Sequence, residues 1–230
     1  MSTLADAVSL TLHEPLHRVP IHGWMLMPQS DTVRPDKRER ITEAAIAVFA
    51  EKGYRSSRVS DVAQAAGVAD GTIYLYFKNK EDLLLSIFEE KMEKLLSMLN
   101  TKLADIECPL DKIRMYVSSH FELLRTNPKL AQVFQVELRQ SHKFLREYRP
   151  EPLWAYLNVF GDIVAEAQAS GLIRKDVDPF ISKWAFFGAL DELSIQWVLS
   201  RNRDRFDLDT AAEQVVETFF RGVLAANSQE

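Results

Sequence analysis

The 230-residue sequence contains a single cysteine, Cys108, so neither an internal disulfide nor a cysteine-based zinc finger can form. We expect this thiol to be buried and inert. Glycine and proline are also scarce, with eight and nine residues, which favours long helices over a many-stranded sandwich. No apolar run approaches the ~18 residues of a membrane span, and the N-terminus lacks the pattern of a signal peptide. A cytoplasmic chain with no membrane partner is therefore expected.

Acidic residues outnumber basic ones by 33 to 28, so the chain as a whole lacks the positive charge typical of nucleic-acid binding. The distribution of charge is uneven. Residues 34–80 carry nine Lys and Arg against six Asp and Glu, whereas residues 81–230 carry eighteen against twenty-four. A basic block on an acidic body is typical of proteins in which one end faces nucleic acid.

Residues 1–34 show no sustained periodicity and are predicted to form a flexible N-terminal arm. The alternative is that they lie upstream of the natural start, with Met25 or Met27 as the initiator. From Asp36 onward, apolar residues recur at helical spacing. Asn127 and Asp178 each precede a proline, and we expect both to cap helices. The whole pattern predicts about nine helices and no strand, an all-α fold.

Residues 59–77 have the pattern of a helix-turn-helix: a short helix, a tight turn at Gly67, and a second helix from Thr72 to Phe77. Small residues in the first helix allow the two helices to cross closely. The second helix of such a unit enters the major groove, and its unpaired N–H groups face phosphate. From spacing alone, a plain helical hairpin with solvated lysines remains the alternative.

Residues 67–84, GVADGTIYLYFKNKEDLL, strongly resemble the signature of the TetR family of one-component regulators, and residues 41–53, ITEAAIAVFAEKG, match its first helix. The resemblance implies a DNA-binding domain at residues 35–82 and a helical ligand-binding and dimerisation domain at residues 83–230. It implies DNA contacts at Ser60, Ala69, Gly71, Thr72, Tyr74, Tyr76 and Lys80, to which we add Arg58 as a candidate contact with phosphate.

One position departs from the family pattern, because Arg58 stands where a capping hydroxyl is common. We therefore expect Ser57 or Ser60 to cap the first helix of the pair. Whether Arg58 instead clamps a phosphate stays open at this point.

The same resemblance implies a homodimer that binds a near-palindromic site on double-stranded operator DNA. The last two predicted helices, residues 179–202 and 208–226, would pair with those of the partner as a four-helix bundle. Their apolar side chains are expected to be divided between this interface and the core of the subunit. The residues assigned to dimerisation are Trp197, Val215, Phe219 and Val223.

A second resemblance covers most of residues 36–226 and is to the fatty-acid-degradation repressors within the TetR family. It rests on VELRQS at 136–141 and on FGALDE at 187–192. Those repressors bind long-chain acyl-CoA, which releases them from DNA. Eleven Phe and three Trp after residue 80 would line an apolar tunnel, and arginines after Glu137 would bind the CoA phosphates. The expected ligand residues are Phe121, Leu124, Gln135, Arg139, Arg146, Trp184, Phe187 and Asp191.

Two other functions are compatible with the sequence. A repressor of efflux or stress genes would hold a hydrophobic, drug-like cation, with Glu122 or Asp191 as the counter-charge. A helical lipid-binding protein without DNA function would show no salt-sensitive binding to duplex DNA. An enzyme is not expected, because no catalytic triad, phosphate-binding glycine loop or metal-ligand spacing is present, and no cofactor or metal is predicted. His120 and His142 are isolated and are expected in core or surface roles.

Overall fold

The computed structural model of the protein describes residues 36–141, 143–144, 147–200 and 206–225. Within these ranges the all-α prediction is confirmed, with nine α-helices and one isolated bridge between Ile173 and Leu224. The predicted arm at residues 1–34 lies outside them. The helices are α1 Lys37–Lys52, α2 Val59–Ala66, α3 Asp70–Ile73, α4 Lys80–Ala104, α5 Pro109–Thr126, α6 Pro128–Gln132, α7 Glu151–Ala169, α8 Pro179–Leu199 and α9 Leu208–Val223.

Side-chain caps fix the start of three helices. Asn79 accepts from Asp82 N at 2.8 Å before α4, and Asp207 accepts from Thr210 N at 2.8 Å before α9. Asp178 accepts from the N–H groups of residues 180 and 181, which confirms the cap predicted for α8. Asn127 also occupies the N-cap position predicted for it, before Pro128 of α6, and its backbone ends α5. Its side chain, however, makes no capping hydrogen bond.

The first three helices and the start of α4 enclose a small apolar core. Helix α1 packs against α2, and α2 packs against α3, so that alanines at the crossing bring the helices close together. The buried residues of this core are Ile41, Ala45, Phe49, Val62, Ala63, Ile73, Phe77, Leu83 and Leu84. Burial of these side chains fixes the angle between α2 and α3.

The later helices pack around a second, largely aromatic core. Phe160 of α7 stacks on Phe186 of α8 with ring centroids 4.3 Å apart, and Phe219 of α9 lies 4.7 Å from Phe186. Tyr116 of α5 stacks on Tyr156 at 4.7 Å. Aromatic pairs of this kind stabilise a core by about 0.5–1.5 kcal/mol beyond their buried area. Several of the aromatic residues expected around a ligand tunnel therefore pack against one another.

Between α6 and α7 the backbone leaves regular α geometry. Val133–Glu137 forms a π turn, and Leu138–Gln140 forms a 3-10 turn. We name residues 133–140 the junction segment. Because π turns are rare and frequently lie at functional sites, this segment is a candidate for a functional role.

Two local predictions are wrong. Cys108 is exposed rather than buried, because it occupies the N-cap position of α5 at the surface. The second helix of the pair, predicted at residues 72–77, begins and ends earlier, as α3. After Ile73 the chain tightens, since Leu75 N donates to Thr72 O at 3.2 Å and Tyr76 N to Ile73 O at 3.0 Å. Bonds three residues back thus interrupt the regular α-helical pattern, although Phe77 N still donates to Ile73 O at 3.0 Å.

Candidate nucleic-acid interface and effector region

The turn between α2 and α3 has the hydrogen bonds of a Schellman motif. Gly67 lies in the left-handed region with φ +65°, its N–H donates to Gln64 O at 3.2 Å, and Val68 N donates to Ala63 O at 3.0 Å. Arg40 of α1 closes the same helix end, because its Nη2 donates to Ala66 O at 2.6 Å. The turn predicted at Gly67 is confirmed, whereas no local pattern indicates the role of Arg40.

Helix α3 and the turn after it present an aromatic edge to solvent. Tyr74 is 57% exposed and Tyr76 is 37% exposed, whereas the neighbouring Ile73 and Phe77 are buried. Leu75, which the sequence analysis did not select, is 81% exposed between the two tyrosines. Its position between two predicted contacts was the only available signal.

The tip of α3 is open. Ala69 and Gly71 are exposed and Thr72 is half-buried. A Cβ added at Gly71 would have no heavy atom within 4 Å. These residues and the exposed tyrosines lie together at the second helix of the helix-turn-helix, the element that enters the major groove in such units.

The start of α2 differs from both capping alternatives. Arg58 N donates to Asp61 Oδ2 at 2.7 Å, and Lys52 Nζ donates to Asp61 Oδ1 at 2.9 Å. The Lys52 and Arg58 hydrogen bonds hold the pKa of the Asp61 carboxyl below its usual value. The expected serine cap is wrong, since Ser57 is buried with its hydroxyl donating to Tyr54 O, and Ser60 is exposed within the first turn. The Arg58 side chain is exposed.

Lys80 points into the protein. Its Nζ donates to Tyr54 O at 2.7 Å and Ser57 O at 2.9 Å, and it lies 4.5 Å from the centroid of the Tyr54 ring. Burial lowers the pKa of Lys80. The ammonium group thus fastens the α1–α2 loop to the start of α4, and its phosphate contact stays a prediction.

The α1–α2 loop is also held by the junction segment. Glu137 is 4% exposed, and its Oε2 accepts from Tyr54 N at 2.6 Å and from Gln140 Nε2 at 2.9 Å. Gly53 precedes Tyr54 with φ +81°, a backbone conformation that favours glycine. Glu137 lies within the VELRQS motif, but nothing in that motif indicates this contact.

Three of the predicted ligand residues are in direct contact. Arg139 Nη2 lies 2.7 Å from Asp191 Oδ2 of α8 and donates to Gln135 Oε1 at 3.3 Å. Of the others, Phe121 and Leu124 are buried in α5, and Phe187 is half-buried. Arg146 and His142 lie outside the described residues.

His120, predicted in a core or surface role, is buried within the second core. Its Nδ1 lies 2.9 Å from Tyr156 Oη, and its Nε2 lies 3.1 Å from Ser194 Oγ. Because the Ser194 hydroxyl donates to Leu190 O at 2.7 Å, Ser194 Oγ accepts from Nε2–H, and Nδ1 accepts the Tyr156 proton. When the imidazole is neutral, each hydrogen in this series of hydrogen bonds from Tyr156 to Leu190 has an acceptor. Burial lowers the pKa of His120 to about 4 and raises that of Tyr156.

Helix α8 carries exposed apolar side chains. Ile181 is 64% exposed, Trp184 43% and Leu199 58%, and the first two lie one helical turn apart. A surface of this kind marks an interaction site. The residues predicted for dimerisation point inward by comparison: Trp197 is 9% exposed, and Val215, Phe219 and Val223 are half-buried against the core. Trp184 is exposed, and its predicted ligand contact stays a prediction.

A cleft of about 240 Å³ lies between α1, α6 and α8. It is lined by Ala50, Pro128, Lys129, Gln132, Trp197 and Val198. Its volume is below the ~300–1,000 Å³ typical of small-molecule sites. None of the predicted ligand residues lines it.

Both candidate counter-charges for a cationic ligand are engaged in ion pairs. Glu122 pairs with Arg125, and Asp191 pairs with Arg139. Among the described residues, no cluster of three His, Cys, Asp or Glu side chains is placed to bind a metal ion. Nor does any helix in those ranges have the length and apolar character to cross a membrane.

Two protein-family models match the chain in succession. The model for bacterial regulatory proteins of the tetR family matches residues 41–87, and the model for the C-terminal region of YsiA-like proteins matches residues 88–222. The fatty acid metabolism regulator protein of Bacillus subtilis is 41% identical over 187 residues, which cover 81% of this chain and 95% of that protein.

Solved structures give the same result. The fatty acid degradation regulator FadR from Bacillus halodurans has a TM-score of 0.76 and 38% identity, over 81% of this chain and 96% of its own. FadR from Bacillus subtilis in complex with stearoyl-CoA has a TM-score of 0.74 and 41% identity, over 80% and 97%. In each case the similarity extends over nearly the whole of the related chain.

Proposed function

This chain belongs to the TetR family of bacterial regulatory proteins, and from that membership we propose that it represses fatty-acid-degradation genes and is released from its operator by long-chain acyl-CoA. The observation that carries the proposal is the 41% identity to the fatty acid metabolism regulator over 95% of that relative. The family resemblance inferred from residues 41–53 and 67–84 is confirmed.

We propose that residues 35–82 form the DNA-binding domain and residues 83–230 the effector and dimerisation domain. The exposed tip of α3 supports the first assignment, because Gly71, Tyr74 and Tyr76 are open to solvent on a rigid base. The exposed guanidinium of Arg58 suits a contact with backbone phosphate. In a homodimer, two such tips would enter successive major grooves about 34 Å apart.

In the effector domain, we propose that Arg139 binds a phosphate of CoA. Its side chain is 44% exposed, and its guanidinium pairs with the Asp191 carboxylate. A phosphate would compete with this carboxylate for the guanidinium. The alternative of a cationic drug is less well supported, because the relatives named above are regulators of fatty acid metabolism and one of them is solved in complex with stearoyl-CoA. The ion pairs do not decide between the two ligands, since either would have to break one of them.

Stearoyl-CoA is expected to weaken operator binding by about 5- to 150-fold, the range of a typical coupling between two sites. The operator duplex is first selected from genomic DNA by binding to the protein. Fluorescence anisotropy then gives its Kd with and without stearoyl-CoA. Operator affinity should also fall steeply with salt, because phosphate contacts release counterions.

Free CoA and stearate are the matched controls, because each carries only one half of the effector. Neither should release the operator at the concentration at which stearoyl-CoA does. Release by hydrophobic dyes but not by stearoyl-CoA would favour the drug-responsive alternative. Binding of stearoyl-CoA with no salt-sensitive DNA binding would favour the lipid-binding protein.

Truncation of Trp184 to alanine is expected to weaken the dimer about 30-fold, since a central aromatic side chain of an interface contributes about 2 kcal/mol. The exposed indole on α8 is the physical reason. Sedimentation of wild-type and Trp184→Ala proteins across a concentration series measures the change. Trp154, a 39% exposed tryptophan on α7, provides the control as Trp154→Ala. An unchanged dimer constant for Trp184→Ala would place the interface elsewhere.

The relatives named above are regulators of fatty acid metabolism and degradation. We propose that this chain likewise acts by binding rather than by catalysis. Its site of action would be the cytoplasm, where bacterial DNA lies.

A further inference from the structure

The junction segment contacts two functional regions through two charged side chains. Arg139 reaches α8, where it pairs with Asp191. Glu137, two residues earlier, reaches the loop before α2, where its carboxylate accepts the N–H of Tyr54 at 2.6 Å. One short stretch of backbone therefore touches both the proposed effector region and the DNA-binding helices.

The contact between Glu137 and Tyr54 is strong and directional. The carboxylate is buried, so its hydrogen bonds are not weakened by competing water. A charged acceptor also forms shorter and stronger bonds than a neutral one. Leaving this carboxylate without donors is costly, and a movement of Glu137 therefore carries Tyr54 with it.

Tyr54 lies between the junction segment and α4. Its N–H is held by Glu137, whereas its C=O accepts from Lys80 and its ring lies beneath the Lys80 ammonium. Four residues after Tyr54, Arg58 is the N-cap residue of α2. A displacement of Tyr54 therefore reaches the start of α2 through a short loop, and α2 carries α3 through the Gly67 turn.

We propose that Glu137 is a positioning residue that couples the effector region to the DNA-binding helices through Tyr54. This inference rests on the proposed release by acyl-CoA. When a phosphate takes Arg139 from Asp191, the π turn rearranges, and Glu137 shifts the α1–α2 loop. A π turn suits this role because it holds one more residue than an α turn, and its loss rotates the residues beyond it.

The test compares the ratio of operator Kd values with and without stearoyl-CoA among four proteins. Glu137→Met keeps the side-chain length but removes the acceptor, and it should bring this ratio to within about twofold of one, against the 5- to 150-fold typical of coupled sites. Glu137→Gln retains an acceptor oxygen and should keep most of the wild-type ratio. Glu89→Met is the control, because Glu89 also accepts a hydrogen bond, from Tyr148, but does not touch the α1–α2 loop.

Calorimetry with stearoyl-CoA on each protein, without DNA, separates the positioning role of Glu137 from the proposed function, which is the response to acyl-CoA. Glu137→Met should bind stearoyl-CoA as tightly as the wild type while failing to convert binding into release. If Glu137→Met keeps the wild-type ratio, or if Glu89→Met loses it equally, the positioning role is overturned. If the wild type itself binds no stearoyl-CoA, the proposed function is wrong and the inference falls with it.

A measurement on the wild type covers the case in which Glu137→Met does not fold. Hydrogen exchange of the Tyr54 amide is recorded by NMR with and without stearoyl-CoA. We expect its protection to change at least about tenfold, because a displaced Glu137 holds this N–H with a longer and weaker hydrogen bond while the loop moves. An unchanged Tyr54 exchange rate with bound stearoyl-CoA overturns the proposal.

Discussion

Replacing Gly71 with glutamate is expected to abolish operator binding while leaving the fold and the effector affinity unchanged. The new side chain has room in the free protein, because no heavy atom lies within 4 Å of a Cβ at this position. An acidic residue is also tolerated near a helix N-terminus. On DNA, however, it would place a negative charge against phosphate, and such like-charge contacts cost several kcal/mol. We expect operator affinity to fall at least about a hundredfold.

The control for Gly71→Glu introduces the same charge elsewhere. Ala169, exposed in the last turn of α7, becomes Ala169→Glu and should bind operator nearly as the wild type does. Thermal unfolding and stearoyl-CoA calorimetry should not distinguish Gly71→Glu from the wild type. Wild-type operator affinity in Gly71→Glu would mean that the tip of α3 does not enter the DNA groove.

The folded protein is expected to lose about 3 kcal/mol of stability between pH 7 and pH 4 through His120 alone. Burial lowers the pKa of this imidazole from 6.5 to about 4. The unfolded chain therefore binds a proton more readily than the folded chain across this interval. The contribution is complete above pH 6.5 and declines as pH falls towards 4. The hydrogen bonds of His120 also lower its pKa, since a proton on Nδ1 would be directed at the hydrogen that the Tyr156 hydroxyl donates.

This effect is measured in two ways. Urea unfolding at fixed protein concentration, from pH 7 to pH 4, gives the free energy of unfolding at each pH. Its slope against pH is compared between the wild type and His120→Gln, which has no imidazole to titrate. The difference between the two slopes should correspond to one proton. NMR titration of the imidazole Cε1 proton, assigned by its loss in His120→Gln, gives the pKa directly. A folded-state value near 6.5 would contradict the prediction.

The helices and the DNA-binding unit were predictable because local sequence determines them. Helical periodicity, the cap at Asp178 and the glycine turn at Gly67 each depend on a few neighbouring residues. The end of α3 was misplaced because its last hydrogen bonds tighten to three-residue spacing, which apolar periodicity does not indicate.

The contacts that sequence reasoning missed are long-range. Glu137 and Tyr54 are 83 residues apart, and Arg139 and Asp191 are 52 apart. Arg139 was expected beside phosphate from its charge, but its partner in the folded chain depends on how α8 packs. Lys80 shows the same limit, since a lysine after a recognition helix suggests phosphate, whereas here its ammonium binds carbonyl groups of a loop. Tertiary packing decides which charge meets which partner.

The exposed apolar side of α8 has a consequence for how the regulated genes respond to the amount of regulator in the cell. Ile181, Trp184 and Leu199 are exposed in the single protomer, and in the proposed dimer the partner covers Trp184. When protomers are scarce, the population of the pair varies with the square of their concentration, by mass action. Halving expression would then leave about a quarter of the operator-competent species. Repression would therefore weaken more steeply than the protein level itself, and small changes in synthesis or dilution by cell growth would be amplified at the promoter.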